Sequence, residues 1–214
     1  MYRMEHIARM TKEEKDLLRV SWNVLRRQIN DLGREIFEMI FAQSPDTKTL
    51  FPFTNFAAPK SDKVLKEIEF HGRRFMEIIE TTVASLDNMT KVEPVLDNLG
   101  RRHGRLAENR GFSTHHWHVF IECSLFHFRA VLSEDKHFRN MVVIDKVIIL
   151  WRILLKTIIK RMKIGLQQDL KNRKAHRETV NEFDGLTISS IDSGSSDRRG
   201  TLCKSLMNSS SDSD

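Results

Sequence analysis

The chain has 214 residues, 40% hydrophobic and 30% charged, and carries a formal charge of +6. Only nine glycines and four prolines exclude turn-rich β and collagen-like classes and favour helices. The positive surplus lies in residues 1–170, where the arginine pairs Arg26–Arg27, Arg73–Arg74 and Arg101–Arg102 are scattered, a pattern that argues against a nucleic-acid partner.

Residues 1–10 form an N-terminal extension without an apolar signal core, and Tyr2 stands where N-myristoylation needs glycine. Thr11 and Glu14 have capping-box spacing and open an amphipathic helix with Leu17, Leu18, Trp22 and Leu25 on one side. A second helix, over 31–43, carries Leu32, Ile36, Phe37, Ile40 and Phe41. Ser44 and Pro45 read as an N-cap and first helical residue of a short helix. An aromatic-dense stretch, LFPFTNF (50–56), follows and contains Phe51, Phe53 and Phe56. The next helix holds His71, Phe75, Ile78 and Ile79 on one face and runs to about Leu86. Pro94 begins a short helix through Leu99 and His103, with Gly104 as its stop. Ser113 caps a long helix to about Leu132. The last helix, about 141–166, aligns Val147, Trp151, Leu154, Leu155, Ile158 and Met162. The pattern predicts an all-α fold of seven or eight helices over 11–166.

From 167 to 214 the chain reads as a polar, serine-rich and disordered tail: ten serines and no aromatic residue fall in 185–214. Its Arg198–Arg199 pair and Ser209–Ser213 cluster would suit phosphorylation. Between 141 and 166 the longest unbroken apolar run, Val147–Trp151, is too short to span a bilayer. Two cysteines, Cys123 and Cys203, make no C-x-x-C and no disulfide framework, which fits a reducing cytoplasmic setting.

No nucleotide-binding glycine loop, nucleophile elbow or H-E-x-x-H zinc motif is present. Glu77 and Glu80 sit on a polar helix face. His115, His116, His118 and Cys123 cluster without a second ligand pair at zinc-finger spacing. His71 and His103 are more informative, each on the apolar face of its own helix, 32 residues apart. Two facing imidazoles can hold a metal centre, and thirteen phenylalanines against one tyrosine can wall a flat apolar slot around it.

In chain order, Trp22, Gly33, Phe37, Ser44-Pro45, Phe51, "HGRRF" (71–75), "LGRRH" (99–103) and "FST" (112–114) resemble the animal globin family. The nearest patterns are neuroglobin-like and intracellular nematode globins. The resemblance implies a globin fold around haem b, iron protoporphyrin IX, with His103 as proximal iron ligand and His71 as distal residue and possible sixth ligand. Phe51 would lie against the porphyrin, Phe37 and Phe75 above the iron, Leu99 beneath it, and Phe112 would join the pocket wall. Arg74 would pair with a propionate, and His115 would approach the haem edge or meet solvent, solvent being the favoured reading. Gly33 and Gly72 would let their helices cross closely. The implied function is reversible binding of O₂ or another diatomic gas for supply, storage or sensing, with a reductase as possible partner and monomer or homodimer left open. The alternative is a bis-histidyl redox globin acting on nitrite, nitric oxide or reactive oxygen; a third is a globin-fold interaction protein without haem.

Overall fold

The computed structural model describes residues 5–51 and 62–191. They form α1 (Glu5–Ala8), α2 (Lys12–Leu25), α3 (Ile29–Gln43), α4 (Asp62–Ala84), α5 (Glu93–Arg110), α6 (Thr114–Glu134) and α7 (Met141–Ile191). Short 3₁₀ turns lie at Arg26–Gln28, Pro45–Leu50 and Met89–Lys91, and no strand occurs among the described residues. Phe53, Phe56 and the tail residues Arg198, Arg199 and Ser209–Ser213 fall outside them. No described helix is long and apolar enough to cross a membrane. Residues 1–173 and 174–214 are separate compact units, and the helical core belongs to the first.

Local chemistry sets the helix starts. Thr11 Oγ1 accepts the Glu14 N–H at 3.2 Å while Glu14 Oε2 accepts the Thr11 N–H at 3.0 Å, the reciprocal box its spacing predicts. Apolar stripes then drive packing. Trp151 of α7 is fully buried, its Nε1 donating to Ser21 Oγ of α2 at 3.0 Å, with Trp22 and Phe128 rings 6.3 and 5.0 Å away. That hydrogen bond spares an indole donor the cost of burial without a partner.

Two glycine contacts fix how helices cross. A Cβ on Gly72 would lie 2.5 Å from the carbonyl carbon and oxygen of Gly33, so α3 and α4 meet backbone to backbone, as expected. A second crossing, absent from the sequence expectation, joins α5 to α7. There a Cβ on Gly100 would sit 1.9 Å from Met162 O, and one on Gly165 would sit 2.2 Å from Asp97 O. Arg161 pins this crossing, with Nε donating to Asp97 Oδ1 at 2.7 Å and Nη1 lying 3.4 Å from Glu93 Oε2. The carboxylates hold its guanidinium pKa above the ordinary value, the Asp97 hydrogen bond most of all.

Several boundaries differ from expectation. Gly104 does not stop α5; the helix continues to Arg110 and ends where Gly111 adopts φ 73° and Phe112 N–H reaches Leu106 O at 3.3 Å. Gly104 is instead spent on closeness to α7, where its Cβ would meet Asp169. The segment after Pro45 forms a 3₁₀ turn, with the Ser44 hydroxyl bonded to the Asp46 side chain instead of to a backbone N–H. In residues 1–10, taken as an appended extension, Ile7 and Met10 are buried in the core. The final helix, expected to end near 166, runs to Ile191. Gln168–Asn172, Asp169–Arg173 and Lys174–Glu178 pairs one turn apart lie along its first turns beyond 166 and each add a little support.

Candidate functional site

All eight residues expected at a cofactor site line one partly open, mainly apolar cavity of about 190 Å³. Phe37 comes from α3, Phe51 from the end of the Pro45 turn, His71, Arg74 and Phe75 from α4, Leu99 and His103 from α5, and Phe112 from the α5–α6 junction. Helical spacing does the positioning: His71, Arg74 and Phe75 fall at i, i+3 and i+4, as do Leu99 and His103 at i and i+4. The close Gly33–Gly72 contact sets α4 against α3, which brings Phe37 to the His71 ring.

His71 is clamped by ring edges. The Phe37 and Phe51 centroids each lie 4.9 Å from it, at 89° and 85° to its plane. Its accessible surface faces the cavity, yet the protein around it is dense enough that desolvation, with a smaller repulsion from His103, lowers its pKa to about 4. Among the described residues, no hydrogen bond is made by its ring nitrogens.

His103 is oriented from its own helix: Nδ1 lies 2.8 Å from Leu99 O, one turn back, and donates to that carbonyl. A carbonyl can only accept, so the neutral ring carries its proton on Nδ1 and presents the Nε2 lone pair. Burial lowers the His103 pKa and the Leu99 hydrogen bond offsets this in part. Trp117 flanks the ring at 4.9 Å and Phe112 at 5.1 Å.

Both imidazoles are therefore neutral near pH 7, with a clear consequence for the cofactor-free protein. A folded-state pKa below the unfolded value near 6.5 gives stability that is present above 6.5 and lost as pH falls towards 4. His127, also depressed by burial, acts in the same direction. Urea midpoints of the cofactor-free chain should drop steadily from pH 7 to pH 5, and less steeply in His71→Phe. Equal slopes in the two proteins would contradict the lowered pKa of His71.

Arg74 is exposed at the rim, with Nη1 3.3 Å from Glu77 Oε2 and its guanidinium 5.9 Å from the Phe70 ring centroid. Phe75 packs edge-on against Phe120 at 4.7 Å.

His115 is exposed and its Nε2 lies 3.3 Å from Ser44 Oγ, away from the cavity lining. The next residue, His116, was not expected at the site but lines the cavity. Its Nδ1 accepts the Ser113 N–H at 2.8 Å, leaving Nε2–H to donate to Asp46 Oδ2 at 2.9 Å. The Asp46 carboxyl is held below its usual pKa by the Ser44 hydroxyl first and His116 second. The signal that could have found His116 is its position three residues after Ser113, the second half of a capping box. Trp117 and the α7 residues Leu155, Ile158, Ile159 and Met162 also line the cavity; on sequence alone they read as plain core.

The donor chemistry fits a haem. Two neutral imidazoles border one apolar space, one of them with its lone pair aimed by a backbone acceptor, and the walls are aromatic and aliphatic. His116 is not available as a ligand, both its nitrogens being engaged. Among the described residues no group of three or more His, Cys, Asp or Glu side chains could hold a bare metal ion.

An all-helical bundle with two imidazoles facing one aromatic cavity defines the class of helical haem-pocket proteins. The chain belongs to the globin family: the family model matches residues 34–143, over half its length. It is 26% identical to globin-related protein glb-13 of Caenorhabditis elegans, over 81% of this chain and 58% of that protein. It is 31% identical to neuroglobin of Dissostichus mawsoni, over 48% of this chain and 65% of that protein. The chain thus spans 58–65% of the length of these curated relatives. A crystal structure of a hexacoordinated heme protein from an anhydrobiotic tardigrade superposes with a TM-score of 0.60 at 21% identity, covering 74% of this chain and 96% of that one. That likeness bears on the fold.

Proposed function

We propose that this globin holds haem b between α4 and α5 and binds O₂ or another diatomic gas reversibly, for supply, storage or sensing in the cytoplasm. The observation that carries the reading is the pairing of His71 and His103 across one aromatic cavity, with His103 Nδ1 committed to Leu99 O. When bound, haem would supply an iron centre able to take a gas molecule. His103 would hold it from the proximal side through Nε2, made more basic and fixed in direction by the Leu99 hydrogen bond. Phe51, Phe37, Phe75, Leu99 and Phe112 would exclude water from the macrocycle faces, and Arg74 would meet a propionate at the rim in competition with Glu77.

His71 is kept neutral by its surroundings, so it can donate one N–H to a gas molecule in the pocket, a bond worth about 1–3 kcal/mol in dry surroundings. Converted at about 1.4 kcal/mol per decade, its loss in His71→Ala should change O₂ dissociation by roughly fivefold to a hundredfold while haem is retained. Unchanged association, dissociation and autoxidation would remove His71 from the distal role.

A second reading, bis-histidyl redox chemistry with a reductase partner, draws on the two imidazoles, His71 and His103, lining the same cavity. The absorption spectrum of the dithionite-reduced, gas-free protein separates the two. One broad visible band is the expected result and means an open iron site. Sharp, resolved α and β bands would mean that His71 occupies the sixth position and would favour the redox reading. A protein expressed with ample haem that shows no haem absorption would overturn both.

A further inference from the structure

A second pocket, of about 260 Å³, opens on the outer side of the α6–α7 contact. Trp117, Ile121 and Ile159 form its apolar floor, and His118, Lys156, Lys160 and Lys163 its rim. The lysines fall at i, i+4 and i+7 on α7, one helix face, so they stand together over the opening. Glu122, the neighbouring acid on α6, is bonded first to Arg152, whose Nη2 donates to Oε2 at 2.9 Å, and is attracted more weakly by Lys156, so it offsets part of the positive charge of the rim. Greasy floor and cationic rim are the two halves of a site for an anion with an apolar body.

Trp117 and Ile159 line both the outer pocket and the first cavity. Trp117 also flanks the His103 ring at 4.9 Å. An occupant of the outer pocket would touch a side chain that packs on the His103 ring.

We propose that this pocket binds a monomeric anionic amphiphile of the long-chain carboxylate class, its carboxylate on Lys156, Lys160 and Lys163 and its chain on Trp117 and Ile159, and that occupancy is relayed through Trp117 to His103. The site itself is independent of the haem reading; the relay rests on it.

The test uses the full chain as purified with haem, so that the first cavity is filled, and titrates laurate below its critical micelle concentration by calorimetry. Laurate should bind with about 1:1 stoichiometry. Affinity should fall at least tenfold in K156Q/K160Q/K163Q, recover with arginines at the same positions, and fall at least tenfold for dodecyltrimethylammonium on the unchanged protein. The same titration followed in the haem absorption bands should show a saturable change that Trp117→Leu abolishes. Binding unaffected by the glutamine triple variant would overturn the site. Association with anionic vesicles and no uptake of monomeric laurate would assign the lysines to a lipid surface and overturn it equally. Binding without a spectral change would overturn the relay and leave the haem reading intact. If the chain takes up no haem, the haem reading and the relay fail, and the outer site is decided by whether K156Q/K160Q/K163Q removes one laurate from the stoichiometry, the empty first cavity being able to take another.

Discussion

His103→Ala is expected to yield a folded protein that does not retain haem. Residual haem should transfer to an excess of a haem-free acceptor globin at least about a hundredfold faster than from the parent, a larger loss than the roughly 10–100-fold typical when a group that only orients a ligand is removed. The reason lies in the inventory of nitrogens at the cavity. His116 has both ring nitrogens engaged, by Ser113 and Asp46, and His115 points to Ser44. His71 is the one remaining imidazole on the lining, and it sits in α4 without the backbone acceptor that orients His103. What would remain is apolar contact with Phe51, Leu99 and Phe112 and the rim charge of Arg74, enough to attract a macrocycle and too little to fix its iron. Helical circular dichroism should persist, because His103 is only half-buried and the Trp151 core lies elsewhere. Full retention of haem with an unchanged spectrum would show that His103 is not the ligand.

That site was legible in the sequence because its residues obey helical spacing within single elements. His71 with Phe75, and Leu99 with His103, need only the 3.6-residue period to share a face, and two short motifs in the right order suffice to place them. The residues that were not legible reach the cavity from a distance. Leu155, Ile158, Ile159 and Met162 lie on a stripe that any buried helix would show, and nothing local says that part of it faces a cavity. His116 was hidden by its neighbours, since three histidines in four residues look alike until the Ser113 cap picks one. The length of α7 was missed for the converse reason: beyond Leu166 the helix rests on i, i+4 polar pairs, and an apolar period has nothing to report there.

The Gly100–Gly165 crossing was also illegible, and it yields the second large effect. Gly100→Ala should destabilise the chain by about 3 kcal/mol, although alanine gains about 1 kcal/mol of helix propensity over glycine. The added methyl would meet Met162 O at 1.9 Å and the Leu166 nitrogen at 3.0 Å, and backbone cannot step aside as a side chain can. α5 would have to lift from α7, stretching the Arg161 bonds to Asp97 and Glu93 and opening the wall around Met162. For a domain of this size the loss corresponds to roughly 6–12 °C in Tm. Gly104→Ala, one turn along the same helix, is the control. Its methyl meets only the Asp169 side chain, Oδ2 at 2.8 Å and Cβ at 3.1 Å, which can give by a few tenths of an ångström where backbone cannot, so the change should cost clearly less than Gly100→Ala. His103 lies between these two glycines. Gly100→Ala should therefore also speed haem loss, while Gly104→Ala leaves it near the parent rate. Equal melting temperatures for the two variants would mean that α5 and α7 do not meet backbone to backbone, and the placement of His103 by that contact would fall with it.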